Sequence, residues 1–296
     1  MQKSICLAII LLTLSYFLFS CSRINQSVIA YNDPDYPPLK PSFQNTFSHA
    51  IPPDSVPPEQ LEQSDKHNSN ELPAPPQEYI TYTLKGRHDE VLLAESEDAG
   101  QKYVDETTFI GDSTTLGLKA FKIIPLERVF AAGSIDPYAA AHNKIIQLPD
   151  EKTVTIPQAV GYYKPKRVVI TLGTNSVSWI AENAFYTSYG QLIEDIKAES
   201  PQTEIIIQTI PPVTEVYEAG AIKLTNKTIN RFNELLLDLA FEKSVYFLNT
   251  ASVLKNERGF FDERYHSGDG LHHNQASYDV WLKYLRTHAV PQNEQE

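Results

Sequence analysis

Thr107-Thr108-Phe109-Ile110-Gly111-Asp112-Ser113-Thr114-Thr115-Leu116-Gly117 begins as a short apolar run of β character, stops at Gly-Asp-Ser and continues as a helix-compatible run. A serine placed there stands at the carboxyl end of a strand, where open α/β sheets carry their chemistry. Gly111 permits a sharp turn, and at the mouth of the next helix Ser113 is surrounded by free N–H groups and the positive end of the helix dipole. That environment suits a nucleophile. It equally suits a helix cap, because Asp and Ser are both favoured N-cap residues, and this stretch alone does not separate the two readings.

Outward from it, apolar strand candidates recur at residues 108–110, 128–131, 167–172, 204–210 and 245–248, with helical patterns between them at 115–121, 185–199, 223–242 and 275–288. Strands that alternate with helices and read as continuous apolar runs imply a parallel sheet covered on both faces, a three-layer α/β architecture. Phe232, Leu235, Leu236 and Leu239 recur at helical spacing and are assigned to the core, whereas residues 161–166, with two lysines, are expected to form a solvated loop.

Two further clusters sit where such a sheet would gather them. Gly173-Thr174-Asn175 follows the third apolar run, and an Asn side chain there can donate to an oxyanion. Gly268-Asp269-Gly270-Leu271-His272 precedes the last amphipathic segment. With Ser113, His272 and Asp269 supply a nucleophile, a base and a carboxylate that orients the base and favours its charged form.

The ordered set resembles the SGNH (GDSL-type) hydrolase family. Gly111-Asp112-Ser113 with Gly117 is similar to its first block, Gly133 in Val129-Phe130-Ala131-Ala132-Gly133-Ser134 to its second, Gly173-Thr174-Asn175 to its third, and Asp269-Gly270-Leu271-His272 to its last. Ser176 stands where the family often has Asp and His273 where it often has Pro; neither departure removes a catalytic group. Thr115 occupies the position of the second Gly of a GxSxG elbow, so the α/β-hydrolase pattern is not met. The resemblance covers roughly residues 100–290. It implies a flavodoxin-like three-layer α/β/α sandwich, a Ser113-His272-Asp269 triad without cofactor, and an oxyanion hole made by the backbone N–H groups of Ser113 and Gly133 with the Asn175 amide.

A wider pattern, Lys164-Pro165-Lys166, Trp179, Pro211-Pro212-Val213-Thr214 and then Asn230, Phe232 and Asn233, resembles extracytoplasmic SGNH proteins of Gram-positive-type bacteria. Such proteins are associated with esters of cell-surface carbohydrate. The implied activity is a serine esterase that removes O-acyl, chiefly O-acetyl, groups. Acyl transfer to a sugar hydroxyl, and a lipase or lysophospholipase on the same triad, are the alternatives. A non-catalytic binding module is the third, and the intact Ser113, Asn175, Asp269 and His272 set argues against it. Trp179 and Tyr186 are expected near the site, where they could stack on a sugar ring or pack in the core. His266 and His273 flank the last block and are expected to reach substrate.

The amino-terminal part reads differently. Lys3, an apolar run over residues 5–19 and Leu18-Phe19-Ser20-Cys21 describe a secretory signal too short for a usual membrane span. The tetrapeptide resembles a bacterial lipobox, which implies lipidation of Cys21 and a protein held at the outer face of the membrane. Cys6 lies within the signal, so the mature chain would have no disulfide. Residues 22–76 are rich in Pro, Ser, Asn, Gln and Glu, a composition that cannot bury enough apolar surface to order itself. The expected organisation is a signal over residues 1–20, a tether over 21–97, the catalytic domain over 98–290 and a polar tail over 291–296. Residues 79–84 alternate like a strand and 88–99 are helix-compatible, and either the tether or the domain could own them.

A formal net charge of −12 disfavours a nucleic-acid backbone as partner and electrostatic docking to anionic lipid, leaving the N-terminal lipid as the membrane contact. No phosphate loop, HExxH motif or dinucleotide fingerprint is present, so no cofactor is implied. His142, His266, His273 and His288 lack partners at ligand spacing, and no metal site is expected.

Overall fold

The structure, a computed structural model, describes residues 84, 86–220 and 224–291. The expected signal, Cys21, the tether up to residue 83 and residues 292–296 of the polar tail lie outside the described residues.

Five strands make the main sheet: β1 (Thr107–Gly111), β2 (Val129–Ala131), β5 (Arg167–Thr171), β6 (Glu204–Gln208) and β7 (Tyr246–Leu248), in the spatial order β2-β1-β5-β6-β7. All pairs are parallel, with Ile110 opposite Phe130 on one side and Ile170 on the other. The two short intervening strands, β3 (Ile146–Gln147) and β4 (Thr153–Val154), form a separate antiparallel hairpin. Counting main-sheet strands alone, the order is the flavodoxin-like one, and its switch point lies between β1 and β5. Ser113 follows the first of these strands and Asn175 the second.

Every residue of β1 and β5 is buried, because both faces are covered. Alternate side chains divide between two cores. Ile110, Val168, Ile170, Ile205, Ile207 and Phe247 pack beneath α4 (Ile156–Tyr163), α5 (Glu182–Glu199) and α7 (Asn226–Glu242), through residues such as Val160, Leu192, Ile196, Phe232 and Leu236. Phe109, Val169, Ile206 and Leu248 face the other way, against α1 (Gly100–Asp105), α2 (Ser113–Ala120) and α9 (Gln275–Arg286) through Val104, Leu118, Tyr278 and Trp281. The three-layer α/β/α sandwich expected from the alternation is the architecture found.

Several short elements were not expected: α1, the β3–β4 hairpin, α3 (Pro137–His142), α4, α6 (Glu215–Gly220) and α8 (Ala251–Leu254). α4 replaces part of the loop expected at 161–166. Thr155 and Gln158 close a capping box, Pro157 is tolerated in the first turn, and Lys164 ends the helix at φ 45°. β6 stops two residues early because Ile210 N–H leaves the ladder for Asn233 Oδ1 at 2.7 Å.

The segment ahead of residue 98 packs on this domain, and residues 88–99, helix-compatible in sequence, form no helix. Arg87 pairs with Asp238 through both its Nε and Nη2, and the His88 ring stacks on Phe241 with centroids 4.1 Å apart. Leu92 makes a parallel bridge to Phe247, with Phe247 N–H donating to Val91 O at 2.8 Å and Leu93 N–H to Phe247 O at 2.9 Å. These residues cover the open edge of β7, whose unpaired amides would otherwise face water or another chain.

Candidate active site

Gly111, the last residue of β1, is required by close approach rather than by its own torsions: a Cβ there would strike the Thr115 hydroxyl and the Thr171 backbone carbonyl. The chain leaves the strand at Asp112, which N-caps α2 with Oδ1 accepting from Thr114 N–H at 3.1 Å and Thr114 Oγ1 at 2.9 Å. Its other oxygen accepts from Thr174 N–H at 3.1 Å, tying the turn after β1 to the turn after β5. The capping reading of the opening stretch holds for Asp112, and Ser113 takes the first position of the helix. Burial pushes the Asp112 carboxyl up, and hydrogen bonds from Thr114, Gly173 and Thr174 only partly offset that. On the far side, Tyr278 Oη of α9 donates to Thr114 O at 2.7 Å, so the turn is held from both flanks.

Ser113 Oγ lies 3.0 Å from His272 Nε2, and His272 Nδ1 lies 2.6 Å from Asp269 Oδ2. Folding thus joins residues 159 positions apart. Asp269 also takes Leu271 N–H at 3.0 Å and His272 N–H at 2.8 Å on Oδ1, so the carboxylate organises its own turn while orienting the imidazole. Burial alone would raise the Asp269 carboxyl; the hydrogen bonds from the His272 side chain and from the backbone amides of Leu271 and His272 outweigh it and hold the group below its usual range. Gly270 stands at φ 78°, where a Cβ would strike Thr214 and Tyr217, and Thr214 N–H donates to its carbonyl at 2.9 Å.

Two of the expected oxyanion residues, Asn175 and Gly133, meet each other. Asn175 Nδ2 donates to Gly133 O at 2.9 Å, bridging the turns after β5 and β2 across the turn that carries Ser113. Trp179 Nε1 donates to Asn175 O at 2.6 Å and its side chain remains exposed, placing the indole beside the site. Ser176, in place of the family's frequent Asp, is buried with its hydroxyl directed to Gly173 O.

Three side chains expected near substrate are engaged in contacts within the protein. His273 is buried among Phe261, Tyr278 and Trp281, with Nδ1 2.5 Å from Ser277 Oγ, and burial pushes its imidazole down to about 3. It is a core side chain, because neighbours in an extended segment point to opposite sides and His272 takes the solvent side. His266 is engaged within its own turn: Nε2 meets Glu263 Oε2 at 2.7 Å, while Nδ1 accepts from the amides of Gly268 and Gly270. Tyr186 donates to Glu242 Oε2 at 2.7 Å and so ties α5 to α7. The role of Asp112 as a cross-link was missed, since a cap and a cross-link look alike in one dimension. Among the described residues no group of His, Cys, Asp and Glu could hold a metal ion.

Residues 109–280 match the GDSL-like lipase/acylhydrolase family. The chain belongs to this family. It is thus a hydrolase acting on esters. No curated protein matches the sequence. Among solved structures, this family member is similar to a GDSL-like lipase from Bacteroides thetaiotaomicron at 18% identity, over 62% of this chain and 86% of that one, with a TM-score of 0.48. It is also similar to a carbohydrate esterase family 3 protein from Talaromyces cellulolyticus, at 15% identity over 60% and 94% of the two chains and a TM-score of 0.42. A family two carbohydrate esterase from Clostridium thermocellum is 17% identical over 61% of each chain, with a TM-score of 0.45.

Proposed function

We propose that this GDSL-family hydrolase is a serine esterase, held at the outer face of a bacterial membrane by a lipid on Cys21, that removes O-acyl, chiefly O-acetyl, groups from cell-surface carbohydrate. The reading is carried by the continuous hydrogen-bonded path from Ser113 through His272 to Asp269 at the switch point of the sheet. Ser113 Oγ attacks the ester carbonyl carbon as His272 Nε2 takes its proton, and Asp269 keeps the remaining imidazole proton on Nδ1. Charge developing on the carbonyl oxygen meets the backbone N–H groups of Ser113 and Gly133 and the second N–H of Asn175, the first being spent on Gly133 O. His272 returns its proton to the departing sugar oxygen, then takes one from the water that attacks the acyl group and passes it to the departing Ser113 Oγ, which regenerates the serine.

Two observations support a carbohydrate ester. The Asp269 and His272 side chains are 46% and 39% exposed, which suits a substrate presented on a large polar surface. Trp179, pinned through its ring nitrogen and 45% exposed, offers the flat apolar face on which a sugar ring stacks. Leu18-Phe19-Ser20-Cys21 after a short apolar run supports the lipid anchor.

The test is kcat/KM of the purified full chain along aryl esters from acetyl to octanoyl, beside O-acetylated oligosaccharide, with Ser113→Ala as reference. Acetyl esters are expected to be cleaved fastest, and Ser113→Ala to show no turnover at an unchanged Tm. A steady rise with chain length would favour a lipase, acetyl transfer to added oligosaccharide an acyltransferase, and a fully active Ser113→Ala would overturn the mechanism. For location, Cys21→Ala is expected to leave the membrane fraction or to keep its signal uncleaved. Normal processing with continued membrane attachment would overturn the lipid anchor.

A further inference from the structure

The turn that carries Asp269 is short of backbone partners. Between Ser267, whose N–H donates to His272 O at 2.8 Å, and the bridge that pairs His266 with His273, the chain reverses through Gly268 at φ 107° and Gly270 at φ 78°. Four amides of this reversal are taken by two side chains. Asp269 Oδ1 accepts from Leu271 and His272, and His266 Nδ1 accepts from Gly268 at 2.9 Å and Gly270 at 3.2 Å. The imidazole thereby holds the residue on each side of Asp269, as an Asx side chain holds a tighter turn.

This donor set fixes the tautomer of His266. A nitrogen that accepts two N–H groups carries no proton, so Nδ1 is the bare nitrogen, and Nε2 carries the hydrogen and donates it to Glu263 Oε2 at 2.7 Å. The His266 side chain is only 15% exposed, so water does not readily replace it as acceptor. Glu263, 64% exposed, is the weaker anchor of the two.

We propose that His266 is a positioning residue for the Asp269–His272 pair: its bare Nδ1, by gathering the amides of Gly268 and Gly270, sets the place from which the Asp269 carboxylate orients His272. The proposal rests on the reading of Asp269 and His272 as the base pair. It assigns His266 no contact with the ester, so its effect falls on turnover rather than on substrate affinity.

The test compares two isosteric replacements in the full chain, assayed on an aryl acetate. Asn offers an oxygen near the position of Nδ1, whereas Gln offers an amide near that of Nε2 and leaves the two glycine N–H groups without an acceptor. His266→Gln is expected to lower kcat about 10–100-fold, the scale of a misplaced catalytic group, with KM within about twofold. His266→Asn is expected to recover most of that loss. In an Asp269→Asn background His266→Gln is expected to cost nothing further in kcat, because a residue acting through Asp269 has nothing left to position. Equal losses in both variants, a loss confined to KM, an undiminished cost in the Asp269→Asn background, or failure of both variants to fold as read by Tm would each overturn the proposal. If His266→Gln keeps wild-type kcat while Ser113→Ala is inactive, the proposal alone fails; a fully active Ser113→Ala removes the triad reading beneath it.

Discussion

Asp112 and Asp269 each stand one step from the Ser113–His272 contact, yet they are held in opposite ways. Asp112 is fully buried and binds across 62 positions of sequence to Thr174, besides capping its own helix. Asp269 is nearly half exposed and binds Leu271 and His272, two and three residues away. Burial raises the carboxyl of the first, while local hydrogen bonds lower that of the second. The Ser113 side of the site is thus part of the core, and the His272 side is a self-contained turn laid on top of it. One is expected to answer mutation with lost stability, the other with lost chemistry.

Asp269→Asn puts that contrast to its sharpest test. It removes the charge and the control of the His272 tautomer, so turnover is expected to fall about 10³–10⁴-fold, with a Tm close to that of the parent. Steady-state kinetics and calorimetry on the same preparation check both halves. A variant that melts early would mean that the turn is built into the core after all.

Asp112→Ala should behave in reverse. Three amides, of Thr114, Gly173 and Thr174, and the Thr114 hydroxyl lose their acceptor inside the protein. The expected cost is about 2–4 kcal/mol of stability, or roughly 5–15 °C in Tm. Denaturant midpoints measure it, and a variant as stable as the parent would break the clamp between the two turns.

The smallest effect concerns His273, the buried neighbour of His272. Its folded-state value of about 3 lies below the ordinary 6.5, so the folded chain refuses a proton that the unfolded chain accepts. Above that ordinary value there is no penalty; as pH falls from it towards the folded value, stability is lost. Between pH 7 and pH 5 the loss from this group is about 2 kcal/mol. His273→Phe, which suits the surrounding Phe261, Tyr278 and Trp281, should lack this component. Equal acid sensitivity in the two proteins would remove His273 as its source.

Legibility in the sequence followed the range of the interaction. The strands were found because residues such as Val168 to Ile170 are apolar on both faces, and α7 because Phe232, Leu236 and Leu239 return every three or four positions. α3 and α4 were lost because each is short and begins with a proline in its first turn, which interrupts the pattern it belongs to. At the site, Asp269 and His272 could be paired by eye since one turn contains both. The burial of His273 was not legible because residue type does not reveal which way a ring faces.

By itself, then, the sequence determined the alternation of strand and helix, the apolar faces and the local chemistry of each turn, because all of these depend on neighbours within a few residues. Only the tertiary structure decided that β1 lies between β2 and β5, that Asp112 reaches Thr174, that His272 meets Ser113 and that His273 does not. Apolar burial is non-directional and says that a face is covered without saying by what. The partner of each buried polar group is chosen only when the packed layers leave one donor within reach of one acceptor.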